Sequence, residues 1–368
     1  MPEASPELID HFPAFLERLP DGIDIEGLAR RTKAFRRPRG VRSATDLLRL
    51  VLAWACGGHS MRHVAAWAGE RGIASLTDEA LSQRFHGAVP FLEALSRALL
   101  EQVGATPLWH GRGIRIADGT SLSGPASKGT DWRIHGVFDL AAGGFSHLEI
   151  TDGHGGEALD RGEPVAGEIR IADRGYANAR AWQRFLGARD RRTDFIVRMR
   201  WNTITLVDRD DAPFDIIRWL KNRPADGGVH EIAVQARSGK HQAPMPIRLI
   251  ARRKTPEAIE KAHKDLRRCA SRRQTMIDPR SYVAAEYVVL ATSLPADDYP
   301  AGEVLAVYRL RWQIELAFKR LKSLIRIDGI RTRTGAGTRC WLYAHLIVAL
   351  LVDDLNRDVL EFFPRGAC

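Results

Sequence analysis

The same four residues, Ile-Arg-Ile-Ala, run into an aspartate twice in this chain, at positions 114–118 and again at 169–173. Each run is short and apolar. Each is followed by a turn that contains glycine, Asp-Gly-Thr after the first and Asp-Arg-Gly-Tyr after the second. That pattern reads as a strand that stops at an acid. If the two strands are neighbours in one sheet, Asp118 and Asp173 stand side by side at its edge. Unpaired carboxylates that close repel each other unless a cation bridges them. A divalent ion that prefers hard oxygen ligands, magnesium or manganese, answers that need. A turn-forming aspartate at a strand end is the plainer reading of either residue alone. Asp139, Glu149, Asp152 and Asp194 also lie on or near strands, but without the strand-end context.

The surrounding pattern extends the sheet. Residues 133–140 and 144–153 form a hairpin joined by Ala141-Ala142-Gly143, a helix follows near 178–186, and 194–200 makes another strand. Three strands, a short connection, a strand, a helix and a strand is the order expected of a ribonuclease-H-like mixed sheet. The expected fold class is therefore α/β.

The third informative stretch runs from 308 to 322, YRLRWQIELAFKRLK. At about 100° per residue, Tyr308, Arg311, Glu315, Lys319 and Lys322 gather within roughly 80° of a helix. Val307, Leu310, Ile314, Ala317, Phe318, Leu321, Leu324 and Ile325 cover the other side. One carboxylate among groups that hold phosphate suits a metal ligand beside a polyanion. A solvated charged face is the alternative reading.

The spacing of Tyr308, Arg311, Glu315 and Lys322, with Lys319 as an additional lysine, resembles the Tyr-Arg-Glu-Lys signature of bacterial insertion-sequence transposases of the DDE class. The Asp-Gly-Thr and Asp-Arg-Gly-Tyr contexts resemble the same family. The resemblance implies an Asp-Asp-Glu triad of Asp118, Asp173 and Glu315 holding two Mg²⁺ or Mn²⁺ ions. It implies in-line attack at phosphorus: cleavage at transposon ends, then strand transfer into target DNA, with a hairpin intermediate in related enzymes. It assigns Tyr308, Arg311, Lys319 and Lys322 to the phosphates of the transposon end. The implied partners are double-stranded DNA, both terminal inverted repeats and target, and a second copy of the chain on that DNA. A non-catalytic DNA-binding derivative and a ribonuclease-H-like nuclease without strand transfer are the competing readings. In a hairpin route an aromatic holds a flipped base; Trp201, Trp219 and Trp312 are candidates, each with core packing as the alternative. His135 and His154 are candidates for a supporting role.

Asp173 and Glu315 are 142 residues apart, too far for a plain connection, so an inserted segment is required. Residues 201–285 fit it, with three alternating runs and a helix over 256–273. Nine basic residues face three acidic ones between Arg252 and Arg273, which makes this helix a DNA-contact candidate or a solvated surface. Residues 1–105 read as a helical DNA-binding domain with Ser43 and Asp46 as a capping box. Four arginines lie in its connector at 35–42. Residues 60–85 resemble a helix-turn-helix, or equally a plain helical hairpin. The expected division is thus 1–105, a first catalytic part at 110–200, the insertion at 201–285, and a second catalytic part at 286–368 ending in an apolar helix.

A net charge of +10 over 368 residues favours an acidic partner. The four cysteines lack zinc spacing and read as reduced thiols, Cys368 as an exposed one. The N-terminus lacks a signal-peptide pattern, and no apolar run is long enough to span a bilayer. The expected location is the bacterial cytoplasm, at the nucleoid when bound to DNA.

Overall fold

The computed structural model describes residues 12–17, 19–100, 108–124, 127, 129–187, 192–239, 242–325, 330, 332 and 334–351. They fall into two compact units. One is drawn from 1–104, 119–155 and 316–368, the other from 105–118 and 156–315.

In the first unit, α1 (Phe12–Leu16), α2 (Ile25–Arg31), α3 (Ala44–Ala55), α4 (Met61–Glu70) and α5 (Asp78–Leu100) precede the sheet. Capping fixes where they start. Ser43 Oγ accepts from the Asp46 amide at 2.9 Å and donates to its carboxylate at 2.8 Å, so Ser43 caps the helix and Asp46 answers its hydroxyl where a capping box would take its backbone amide. Thr77 Oγ1 accepts from the Ala80 amide at 3.2 Å at the start of α5. The apolar runs at 81–85 and 91–100 belong to this one helix, with Pro90 inside it. The leucine and phenylalanine stripe is buried along its length, and that burial outweighs the hydrogen bond proline removes. Antiparallel β2 (Trp132–Asp139) and β3 (Gly144–Asp152) form the expected hairpin, with a bulge at Val137/Phe138, and β1 (Ile114–Leu122) is next to β2 in the sheet order. The C-terminal helix α12 (Gly335–Leu351) packs on α3 and α5 and is buried almost all round. A Cβ on Gly136 would lie 2.8 Å from both Phe145 and Phe318. Glycine there lets the Phe318 ring reach Phe145 at 5.2 Å, which seats the helix that carries it on the hairpin.

The second unit holds a mixed sheet in the order β1-β4-β5-β9-β8-β7-β6, built from β4 (Ile169–Ala172), β5 (Asp194–Arg198), β6 (Thr205–Val207), β7 (Val229–Arg237), β8 (Met245–Arg253) and β9 (Tyr287–Thr292). β1, β4 and β5 run parallel and the rest pair antiparallel. Both faces of β4 are buried, as a central parallel strand requires. Helix α6 (Ala179–Leu186), capped by Asn178, buries Trp182 against Phe195 at 4.6 Å. The β-rich segment after residue 200 joins the same sheet, because β8 pairs with β9 and β9 with β5. It also supplies α7 (Ile216–Lys221), α8 (Pro256–Arg273) and α9 (Pro279–Ala285). Helices α10 (Ala301–Tyr308) and α11 (Trp312–Ile325) follow β9.

No described helix is long and apolar enough to cross a membrane. Cys56, Cys269 and Cys340 are free thiols, and Cys368 lies outside the described residues.

Candidate active site

β1 and β4 are parallel and in register through Ala117 and Ala172. Asp118 and Asp173 are the next residue on each, so the two carboxylates start from neighbouring backbones about 5 Å apart. The strands differ beyond that point. β4 stops, and the chain turns into a 3-10 helix at Arg174–Tyr176. β1 does not stop at its acid, contrary to the sequence reading. It runs on to Leu122. Asp118 therefore stands inside a strand, at the point where pairing with β4 ends.

The stretch from 308 to 322 is not one regular helix either. α10 ends at Tyr308, a 3-10 turn spans Arg309–Arg311, and α11 begins at Trp312. The break turns Tyr308 inward to 8% exposure instead of leaving it on the charged face. Its hydroxyl donates to Asp173 Oδ1 at 3.5 Å. Arg311 Nη2 donates to Glu315 Oε1 at 2.6 Å, and Nη1 lies 3.9 Å from Asp118 Oδ2. Asp118, Asp173, Glu315, Tyr308 and Arg311 are thus brought together within the second unit. Lys319 and Lys322 belong to the first. Lys319 is exposed, and Lys322 Nζ donates to the Ser121 carbonyl at 3.2 Å.

Burial raises the Tyr308 phenol well above its ordinary pKa, and the Asp173 charge raises it further, so the group is a proton donor across the working range. Burial opposes the Arg311 charge, but the bond to Glu315 and the nearby Tyr308 and Asp173 outweigh it and raise its pKa. The three acids offer hard oxygen donors suited to a divalent cation. Among the described residues no three His, Cys, Asp or Glu side chains form a metal-holding group as they stand. Arg311 is the group that spans Asp118 and Glu315.

Three cations that the sequence reading passed over complete the electrostatics. Burial, and then the Arg174 charge, lower the Arg198 pKa, while Tyr308 and Asp173 act the other way. Lys254 is lowered to about 8 by burial and by Arg198 and Arg174. Arg174, Arg198 and Lys254 line one end of a cavity of about 1140 Å³ that runs past Trp201 to α8 and α9. A signal for Arg174 alone was present in the sequence. Arg174 directly follows Asp173, and Arg198 ends β5, the parallel neighbour of β4.

The rival acids have structural work. Asp139 caps a turn through the Ala141 and Ala142 amides at 3.1 Å. Asp152 accepts from the His154 and Gly155 amides. Asp194 pairs with Arg112 at 2.6 Å and accepts from Ser293. Glu149 lies 4.0 Å from His147. His135 is buried against Thr151 at 2.9 Å, and His154 is exposed. Trp219 is a core residue. Trp201 lines the cavity, hydrogen-bonded to Ser281 and covered by the Arg280 guanidinium at 4.4 Å. Trp312 is 49% exposed.

The transposase DDE domain family matches residues 109–351. InsL of insertion sequence element IS186A from Escherichia coli K12 is 36% identical over 361 residues, covering 97% of each chain. The transposase of insertion sequence element IS421 from Escherichia coli is 36% identical over 362 residues, again covering 97% of each. A solved synaptic complex of piggyBac transposase with hairpin DNA is similar at a TM-score of 0.39 and 10% identity over 98% of this chain and 81% of that one, too distant to assign the fold from it. With a domain match over most of its length and whole-length relatives of this closeness, the chain belongs to the DDE transposases of bacterial insertion sequences.

Proposed function

We propose that Asp118, Asp173 and Glu315 are the catalytic acids and that they would hold two divalent ions, Mg²⁺ or Mn²⁺. The observation that carries the reading is the register of β1 and β4, which sets Asp118 beside Asp173, together with Arg311, which links Asp118 to Glu315. The bound cations would supply Lewis acidity for attack on, and departure from, a phosphorus centre. Arg311 is suited to bidentate phosphate contact, and its bond to Glu315 supports placing that phosphate beside the acids. Tyr308 keeps its proton and offers it to Asp173, which orients that carboxylate. Lys319 and Lys322 follow Glu315 by one and two turns of α11 and would track the same strand of the duplex.

In this reading the enzyme cuts DNA at the ends of its element and joins the freed 3′-hydroxyl to a target, by a hairpin or another route. It works as a homodimer, because two ends must be paired. The catalytic core is ribonuclease-H-like, in agreement with the parallel β1-β4-β5 strands and the antiparallel hairpin. The domain division 1–105, 110–200, 201–285 and 286–368 goes with it. Location in the cytoplasm, at the nucleoid when on DNA, follows from that substrate.

The test is cleavage of a supercoiled plasmid bearing the element's own ends, with Mg²⁺, by wild type and Asp173→Asn. Metal-dependent nicks or excised fragments from wild type alone are expected. Cutting that survives Asp173→Asn would remove that residue from the chemistry.

A further inference from the structure

Glu157 is an acid that none of the sequence motifs contains. It opens the connection from β3 to β4, and its carboxylate is tucked against the backbone of Gly175. A Cβ on that glycine would lie 1.5 Å from Glu157 Oε2 and 2.8 Å from its carboxyl carbon. Gly175 is the middle residue of the 3-10 turn that follows Asp173. A side chain at 175 would displace the Glu157 carboxylate from this position.

The contact is held from below. Arg170, fully buried on β4, donates through Nη1 to the carbonyls of Leu159 at 2.7 Å, Arg161 at 2.8 Å and Gly162 at 3.2 Å. Its Nε bonds Glu168. The strand that ends in Asp173 thus also grips the loop that carries Glu157. Asp173 itself makes no cap bond to the turn, although an aspartate before a helical turn usually does. The turn is closed by the Tyr176 amide on the Asp173 carbonyl at 3.0 Å, and Asp173 turns its carboxylate to Tyr308 instead. A turn without its cap needs support from outside, and Glu157 is the side chain against it. Tyr176, next in the chain, is buried where the charges of both Asp118 and Glu157 act on it, so Glu157 and the first acid share one neighbourhood.

We propose that Glu157 is a positioning residue: by bearing on Gly175 it fixes the turn after Asp173, and so the direction in which the Asp173 carboxylate is presented beside Asp118. The inference rests on the reading of these two acids as a cation-holding pair.

Mn²⁺ binding to the full chain without DNA, followed by the paramagnetic resonance of free Mn²⁺, tests it. Glu157→Ala is expected to weaken Mn²⁺ binding by about 10- to 100-fold, in the range seen when groups supporting metal ligands are removed. End-DNA affinity and the unfolding midpoint stay near those of wild type. Glu157→Gln, which keeps the shape against Gly175, restores most of the loss. Should Glu157→Ala not fold, Glu157→Asp, which withdraws the carboxylate by one methylene, carries the same expectation. Gly175→Ala alone reproduces the loss. Added to Glu157→Ala it costs nothing more, because the carboxylate it would strike is gone. Wild-type Mn²⁺ binding in Glu157→Ala, or equal damage from Gly175→Ala in both backgrounds, overturns the proposal. Asp173→Asn separates the two failures: if it loses Mn²⁺ while Glu157→Ala does not, only the role of Glu157 falls, and if it too binds as wild type, the cation-holding pair falls and this inference with it.

Discussion

Two regions of the second unit handle charge in opposite ways. At the ends of β1 and β4 the charged groups are few, half-buried and individually tied: Tyr308 to Asp173, Arg311 to Glu315 and Asp118. Along α8, no residue is buried, and the neighbouring Met276 is 99% exposed. There the basic residues stand in water on one accessible helix. The first arrangement fixes atoms, which chemistry at a phosphorus centre requires. The second accumulates potential, which draws a polyanion without choosing its position. In the proposed function the first would cut a polymer that the second attracts.

The largest effects should therefore come from the strand ends. Glu315→Gln keeps the shape of the side chain and removes its charge. It is expected to lower cleavage of end-bearing DNA on the order of 10³-fold or more while leaving end binding largely intact. Loss of cleavage and binding together in a gel shift would count against a metal-ligand role.

Next comes the support beneath the acids. Arg170→Met strips the closer of two buried guanidinium partners from Glu168, leaving Arg115 at 3.8 Å, and the donor from three carbonyls. It should cost about 3–5 kcal/mol of stability in a denaturant titration. A cost below about 1 kcal/mol would mean that the β4 clamp is not what holds this edge.

Substitutions read through DNA affinity should show smaller effects. Arg311→Ala is expected to weaken end binding and to reduce the slope of log K against log salt by about one. On α8, Lys261→Ala and Arg273→Ala, both lining the cavity, should each lower affinity modestly and alike for end and random sequence, as contacts to phosphate do. If either instead discriminated sharply between the two sequences, the contrast between the regions would collapse.

Much of this was legible in the chain because it is carried by local pattern. The apolar runs before Asp118 and Asp173 gave strands, and their matching length gave the register that sets the acids together. The helix over 256–273 has the bounds expected of it. What stayed hidden depends on contacts between distant residues. Nothing local says that β1 continues past Asp118. The 3-10 turn at Arg309–Arg311 breaks a stretch whose periodicity is helical throughout, so the inward position of Tyr308 was missed. Arg198 and Lys254 reach the site only because β5 lies beside β4 and β8 beside β9. Glu157 was invisible for the same reason: only the fold brings position 157 to Gly175.

The smallest expected effect concerns Lys254, where the two regions meet. Its pKa is about 8 in the folded chain against 10.5 for the free side chain, through burial and then Arg198 and Arg174. Between pH 8 and 10.5 the folded state binds fewer protons than the unfolded one, so this group makes stability rise with pH across that window. Below pH 8 the charged lysine is a net cost. The full shift would correspond to about 3 kcal/mol, which solvent access to the half-buried amine reduces to about 1 kcal/mol. Lys254→Met should therefore stabilise the chain by about that amount at pH 7. The gain should shrink as pH rises from 8 towards 10.5. The lost bond to the Ala285 carbonyl subtracts a constant and leaves this slope unchanged. The measurement is the difference in unfolding free energy between variant and wild type from pH 7 to 10. A difference that stays flat would mean that Lys254 does not feel Arg174 and Arg198, and that the basic cavity does not extend as one field to the turn after Asp173.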